Sequence, residues 1–221
     1  MSRARLATVW LAGCSGCHMS FLDLDEELFA LAEVADLVYS PIADVKHFPD
    51  DVDLVLVEGA VANADNLELL REVRAKSKVL VAFGDCAAHG NVTALRNPLG
   101  DPAAMVAEAY ADAAERLHGR LPGVALPVAP ASEGAPANAG APASEGAPEY
   151  LGVAYPDPVP GSRDADVVPA LLPRVLAVHE VVRVDATLQG CPPSARRIGL
   201  AVQALLKGET PDLPAAERRF G

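Results

Sequence analysis

The stretch that decides the fold is Leu6-Ala7-Thr8-Val9-Trp10-Leu11-Ala12-Gly13-Cys14-Ser15-Gly16-Cys17, residues 6–17. Leu6 to Leu11 has the length and the apolar, β-branched make-up of a buried strand, and it stops at a turn of glycines and cysteines. From His18 to Val34 the apolar residues Phe21, Leu24, Leu28, Leu31 and Ala32 recur at three- and four-residue spacing, which predicts a helix. Asp23, Asp25, Glu26 and Glu27 take its wet side, near the end where acids favour the helix dipole. Strand, tight turn and helix together open an α/β unit.

The same order returns downstream. A second strand is predicted at Leu37 to Ile42, and a third at Leu54 to Val57, an aliphatic run that enters Glu58-Gly59. Asn63 or Asp65 can cap a helix whose Leu67, Leu70 and Val73 share one face. The next strand, Val79 to Phe83, ends in Gly84-Asp85-Cys86, and a helix is expected from Pro102 to His118. Residues 119–161 hold nine of the nineteen prolines and seven of the seventeen glycines. Within them Ala-Ser-Glu-Gly-Ala-Pro occurs at 131–136 and again at 143–148, apolar surface too sparse to offset ordering entropy. Order is expected to resume with an irregular helix over Val167 to Val178, interrupted by Pro169 and Pro173, and then a strand around Val181 to Val184. Gly190-Cys191-Pro192-Pro193 makes a rigid turn, and Ser194 can cap a closing helix through Leu206. This alternation predicts an α/β fold: a flavodoxin-like, doubly wound parallel sheet in a single domain. Residues 1–118 are its first part, 119–161 a Pro/Gly/Ala-rich loop or linker, and 162–221 the completion that carries the last cysteine.

Composition narrows the function. A chain of 221 residues suffices for one ordinary core, and 51% hydrophobic with only 5% aromatic residues means an interior of Ala, Val and Leu. A net charge of −12 excludes a phosphate-backbone partner, which needs a basic stripe, and disfavours an anionic membrane surface. No run approaches about 18 consecutive apolar residues, so no bilayer-spanning helix is expected. Arg3 and Arg5 before Leu11-Ala12-Gly13-Cys14 mimic a lipoprotein cleavage site, but the apolar part is short and twin arginines are missing. A soluble, cytoplasmic protein is expected, in which four cysteines stay reduced and serve as ligands or redox groups.

All four cysteines fall in turns directly after predicted strands: Cys14 and Cys17 after the first, Cys86 after the fourth and Cys191 after the last. In a parallel sheet such turns share one edge, the edge at which open α/β sheets bind ligands. Small residues flank each sulfur: Gly13, Ser15 and Gly16, then Gly84 and Ala87, then Gly190. Glycines let backbone N–H groups approach cluster sulfides and tune their potential, while Pro192 and Pro193 stiffen the last turn and keep water off one side. Three other readings compete. Four buried structural thiols would not need glycine-flanked turns. A zinc-stabilised binding module would need two paired knuckles where one pair exists. A thiol-disulfide oxidoreductase using Cys14 and Cys17 leaves Cys86 and Cys191 unexplained.

Taken in order, Trp10-Leu11, Cys14-Ser-Gly-Cys17, Glu58-Gly59, Gly84-Asp-Cys86-Ala and Gly190-Cys191-Pro-Pro193 resemble the small subunit of nickel-iron hydrogenases, most of all the short one of soluble, bidirectional, NAD-linked enzymes. The likeness spans nearly the whole chain except 119–161. It implies one proximal 4Fe-4S cluster held by Cys14, Cys17, Cys86 and Cys191, facing a nickel-iron centre on a separate large subunit. It also implies NAD-reducing flavin and iron-sulfur subunits as further partners, in a hydrogen:NAD+ oxidoreductase. No cysteine follows Cys191, so medial and distal clusters have no ligands here. The related quinone-reductase subunit of respiratory complexes uses a tandem Cys-Cys pair that is missing from this chain. Many members carry a Glu two residues after the second cysteine, where this chain has His18-Met19-Ser20.

The remaining polar candidates have two readings each. Glu58, at the end of an apolar strand, is a proton relay or a contact for the large subunit, or else a capping carboxylate. His18 and His89 sit beside ligand cysteines and can donate to the cluster or its partner, though a turn histidine is more often solvated. Flavin mononucleotide is a further cofactor that the resemblance raises, but the first turn is already taken by Cys14 and Cys17.

Overall fold

The computed structural model describes residues 3–111 and 169–218. Five strands, β1 (Ala4–Trp10), β2 (Ala35–Tyr39), β3 (Val52–Glu58), β5 (Ser77–Phe83) and β7 (Ala186–Leu188), form one parallel sheet in the order β2-β1-β3-β5-β7. Between them β4 (Val61–Asn63) pairs antiparallel with β6 (Leu171–Leu176) in a small second sheet. With β4 and β6 set aside, the strand sequence is the 2-1-3-4-5 of a flavodoxin-like, doubly wound fold.

Strand alternation explains the two covered faces. Ala7, Val9, Val55, Val57, Leu80 and Ala82 point to one side, where they meet Leu70 and Val73 of α3 (Ala64–Lys76) and Ala87 of α4 (Asp85–His89). Leu6, Leu54, Leu56, Val81, Phe83 and Leu188 point to the other, against Phe21 of α1 (Gly16–Leu22) and Ile198, Ala201 and Val202 of the closing helix α6 (Ala195–Leu206). Asn63 caps α3 by accepting from Asn66 N at 2.8 Å, and Ser194 caps α6 by accepting from Arg197 N at 3.3 Å. No helix among the described residues is long and apolar enough to cross a membrane.

Four expectations need correction. The single helix over His18 to Val34 is two: α1 stops at Leu22 and α2 runs Glu27–Val34, with Asp25 between them in the left-handed region at φ 49°. Short-range backbone bonds, Leu24 N to Phe21 O and Asp25 N to Leu22 O, tighten the chain into a turn there, while Leu24 still reaches the core. The second strand lies at Ala35–Tyr39 and not 37–42, because Pro41 has no N–H to continue a ladder. Of the irregular helix expected over Val167 to Val178, residues 167 and 168 lie outside the described residues, and Leu171–Leu176 is strand β6: Leu172 precedes Pro173 and is driven extended, and an edge strand tolerates the proline. Asn97 completes that edge, accepting from Val175 N at 2.7 Å and donating to Val175 O at 2.9 Å.

The fourth correction concerns the last strand. Val181 and Val182 are buried, but they follow a short 3-10 turn (Val178–Glu180), and pairing begins only later. Asp185 sets that point: its N–H donates to Leu80 O and its carboxylate accepts from Leu80 N, each at 2.9 Å, while Arg74 holds the carboxylate at 2.6 Å. Of the expected helix from Pro102, the described part is α5 (Pro102–Ala111). The rest of it, and the two hexapeptide repeats, lie outside the described residues.

Leu56 is 1% exposed in the central strand β3. Leu56→Ala is expected to cost about 2–5 kcal/mol, read as a lower urea midpoint with an unchanged slope.

Candidate functional site

Because β1, β3, β5 and β7 are parallel, their carboxyl ends lie along one edge, with the reversal of strand order between β1 and β3. Cys14 and Cys17 follow β1, Cys86 follows β5 and Cys191 follows β7. Cys17 and Cys86 are buried on the first turns of α1 and α4, and Cys14 and Cys191 are exposed; all four are free thiols.

Close backbone approach is what the glycines provide. Gly84 has φ 85°, and a Cβ there would stand 2.2 Å from the Cys17 Sγ, so no other residue fits between the β5 turn and that sulfur. A Cβ at Gly16 would lie 3.3 Å from the Cys14 Sγ. The turns are then tied together. Gly84 N donates to Leu188 O at 2.8 Å, Asp85 N to Gly190 O at 3.0 Å, and Gly190 N returns a bond to the Asp85 carboxylate at 2.7 Å. Buried Ser20 on α1 donates to Pro193 O at 2.6 Å, and buried Arg197 donates to Gln189 O at 2.8 Å. These bonds hold the carriers of Cys17, Cys86 and Cys191 in fixed relation.

Burial pushes the Cys17 thiol far above its ordinary value, and the Glu58 carboxylate, then Cys86, Cys14 and Cys191, push it further. Cys86 is raised too, first by burial and then by Cys14 and Cys191, against a lowering by the Asn91 side chain. Neighbouring sulfurs thus add to burial in opposing ionisation of these two thiols. Among the described residues no group of three or more His, Cys, Asp or Glu is spaced to hold a single metal ion. A lone tetrahedral zinc at about 2.3 Å from each sulfur needs the sulfurs within about 3.8 Å of one another, whereas a cluster spreads its four ligands over a larger core.

Glu58 is 1% exposed at the end of β3 and accepts from His18 N at 3.0 Å. The His18 Nδ1 pairs with the same carboxylate, and the imidazole stacks on Trp10 with ring centroids 5.5 Å apart. His18 is therefore not a solvated turn residue: it sits 1% exposed in α1 as the partner of Glu58. His89 is exposed, its Nε2 3.2 Å from Gln189 Nε2. Sequence reasoning passed over Asp85, Ser20, Arg197 and Asn91, which brace the cysteine turns. Only Asp85 and Asn91 carried a local signal, each standing directly after a glycine in such a turn.

The chain belongs to the family described as NADH ubiquinone oxidoreductase, 20 Kd subunit, whose model matches residues 14–205. It is similar to the NAD-reducing hydrogenase HoxS subunit delta of Cupriavidus necator, 31% identical over 220 residues that cover 99% of this chain and 86% of that one. It is also similar to a subunit of the F420-non-reducing hydrogenase vhu of Methanocaldococcus jannaschii, 30% identical, covering 95% of this chain but only 58% of that subunit. The chain thus spans a little over half the length of such methanogen relatives. Its fold superposes on a chain of an NAD+-reducing NiFe hydrogenase crystallised in the H2-reduced state, TM-score 0.68 and 35% identity over 100% of both chains.

In the metal-free chain, mass spectrometry after brief alkylation is expected to find Cys14 and Cys191 modified before Cys17 and Cys86. The raised Cys17 and Cys86 thiols stay protonated in the fold where the unfolded chain ionises. Stability of the metal-free chain is therefore complete below the ordinary thiol value of 9.0 and falls as pH rises through it. Thermal melts at pH 8 and pH 10 measure that loss. Glu58→Gln removes the carboxylate that satisfies His18 and is expected to cost about 1–3 kcal/mol in urea unfolding at neutral pH.

Proposed function

We propose that this chain is the electron-transfer small subunit of a cytoplasmic nickel-iron hydrogenase, with Cys14, Cys17, Cys86 and Cys191 as the ligands of one 4Fe-4S cluster. The observation that carries this is the convergence of four free thiols at one sheet edge, where the neighbouring sulfurs oppose ionisation of Cys17 and Cys86. A polycationic iron core reverses that balance, since a metal-bound thiol is deprotonated outright. The donor set and the backbone cradle at Gly84 and Gly16 fit such a group. The iron-sulfur name of the Archaeoglobus profundus relative, 29% identical, agrees with it.

When bound, the cluster supplies one-electron storage between a nickel-iron centre on a large subunit and NAD-reducing flavin and iron-sulfur subunits. The chain's residues do the rest. The glycine turns bring main chain to the sulfurs, and the ties through Asp85, Ser20 and Arg197 fix the spacing of the ligands against reorganisation. Cys14 and Cys191 face outward, so the large subunit covers this edge, and exposed Val92 and Leu95 beside it offer apolar contact. Glu58 with His18 holds a proton inside the protein within electrostatic reach of Cys17, the place for a relay or a buried contact toward that partner. Residues 162–221 complete the domain begun by 1–118, as the pairing of β7 on β5 supports. Flavin mononucleotide finds the β1 turn taken by Cys14 and Cys17, so this function assigns it no site.

The other readings lose ground on the same observations. A zinc module lacks single-ion spacing among the described residues. An exchanging Cys14–Cys17 pair gives no role to Cys86 and Cys191, whose turns are tied to the same edge.

Anaerobic purification is expected to give a brown protein with about four iron and four acid-labile sulfide per chain, and Cys191→Ser to lose or convert the cluster. Full iron and hydrogen-driven dye reduction in Cys191→Ser would refute the ligand set. One zinc per chain would identify the binding module, and a metal-free protein that reduces insulin disulfides the oxidoreductase.

A further inference from the structure

The four cysteines account for the ligands but not for Asn91. It follows Gly90 at the end of α4, and both residues are in the left-handed region, at φ 38° and φ 82°. Asparagine is among the few non-glycine side chains that tolerate this region. The turn is pinned from both sides: Gly90 N donates to Cys86 O at 2.8 Å, and Thr93 Oγ1 donates to Ala12 O at 3.2 Å. Its effect is to aim the Asn91 amide at the cysteines. The Nδ2 donates to the Cys191 Sγ at 3.3 Å. One N–H at the end of α4 thus reaches a sulfur carried by the separate turn after β7.

A side chain that only filled the turn would not need a donor, since glycine adopts that backbone more readily. Reduction of a thiolate-bound cluster adds an electron that is shared by its sulfurs, and an N–H donor stabilises the more negative state. We propose that Asn91 is a positioning residue for the cluster assigned above: its amide hydrogen-bonds the Cys191 sulfur and raises the cluster's reduction potential. The role rests on that assignment. Cys191 is exposed, and a partner that covers this edge removes the water that competes for the amide.

Redox titration of the full chain, purified anaerobically and followed by the electron paramagnetic resonance signal of the reduced form, tests it with Asn91→Gly and Asn91→Asp. Glycine keeps the left-handed backbone and deletes the donor; aspartate keeps the shape and sets a carboxylate against the sulfurs. Both variants are expected to retain iron and acid-labile sulfide. The midpoint of Asn91→Gly should fall so that the reduced-to-oxidised ratio at the wild-type midpoint drops about tenfold, about 59 mV for one electron, and that of Asn91→Asp should fall further. Full iron with unchanged midpoints in both variants overturns the tuning role and leaves the cluster standing. Loss of iron from Asn91→Gly makes the residue a structural prop and also overturns it. A wild-type chain without iron and sulfide overturns the cluster assignment itself.

Discussion

The structure depends on the exchange of hydrogen bonds between the β5 and β7 turns. Three bonds, Gly84 N to Leu188 O, Asp85 N to Gly190 O and Gly190 N to the Asp85 carboxylate, join segments separated by nearly half the chain. β7 is only three residues long, and strand pairing alone would leave its end loose. The Asp85 carboxylate removes that freedom, because a charged acceptor makes the stronger class of hydrogen bond. Cys86 and Cys191 each lie one residue beyond the clamp. The spacing of two sulfurs is thus set by main chain and not by flexible side chains, which is what a rigid inorganic group requires of its ligands.

The same logic governs the other half of the edge. Leu11 N donates to Glu58 O, and Ala12 and Ala60 exchange bonds at 3.0 and 2.7 Å, which extends the β1 to β3 contact past the ends of both strands. Gly59 at φ 89° allows it: a Cβ there would stand 2.8 Å from the Leu11 carbonyl carbon. The Glu58 side chain is buried at the end of β3, against His18 of α1, whose ring stacks on Trp10. A buried carboxylate needs a donor, and His18 supplies two, one from its backbone and one from its ring. The residue after Cys17 is therefore committed inward, which fixes the rotation of α1 and the direction of Cys17 with it.

The parallel sheet and its edge were legible because aliphatic runs such as Leu54 to Val57 are both strands and cores, and because each cysteine turn announced itself with glycine. Two of the failures share a cause. At Val167 to Val178 and Val181 to Val184, local pattern competes with partners far away in sequence. β6 exists because Asn97 and β4 offer it an edge, and β7 begins where Asp185 meets Leu80 and Arg74. No window of sequence contains both members of such a pair. For the site, the placement of the four cysteines in turns at one sheet edge could be read, whereas the buried state of His18 could not. An imidazole beside a turn is indistinguishable from a solvated one until the carboxylate forty residues on is seen to face it.

The raised thiols also explain how this chain can fold before it is loaded. Four ionised thiols at one edge would repel one another and Glu58, and burial would add to the cost. Cys17 and Cys86 avoid this by remaining protonated, so the metal-free edge is neutral at those two sulfurs and packs as two small apolar side chains. Loading with the proposed cluster would expel those protons, so uptake would be coupled to pH and favoured as pH rises. The arrangement separates two demands on the same atoms. Protonated, Cys17 and Cys86 contribute to the core; deprotonated on a cationic centre, they would be ligands whose geometry the glycine turns and the Asp85 clamp have already set.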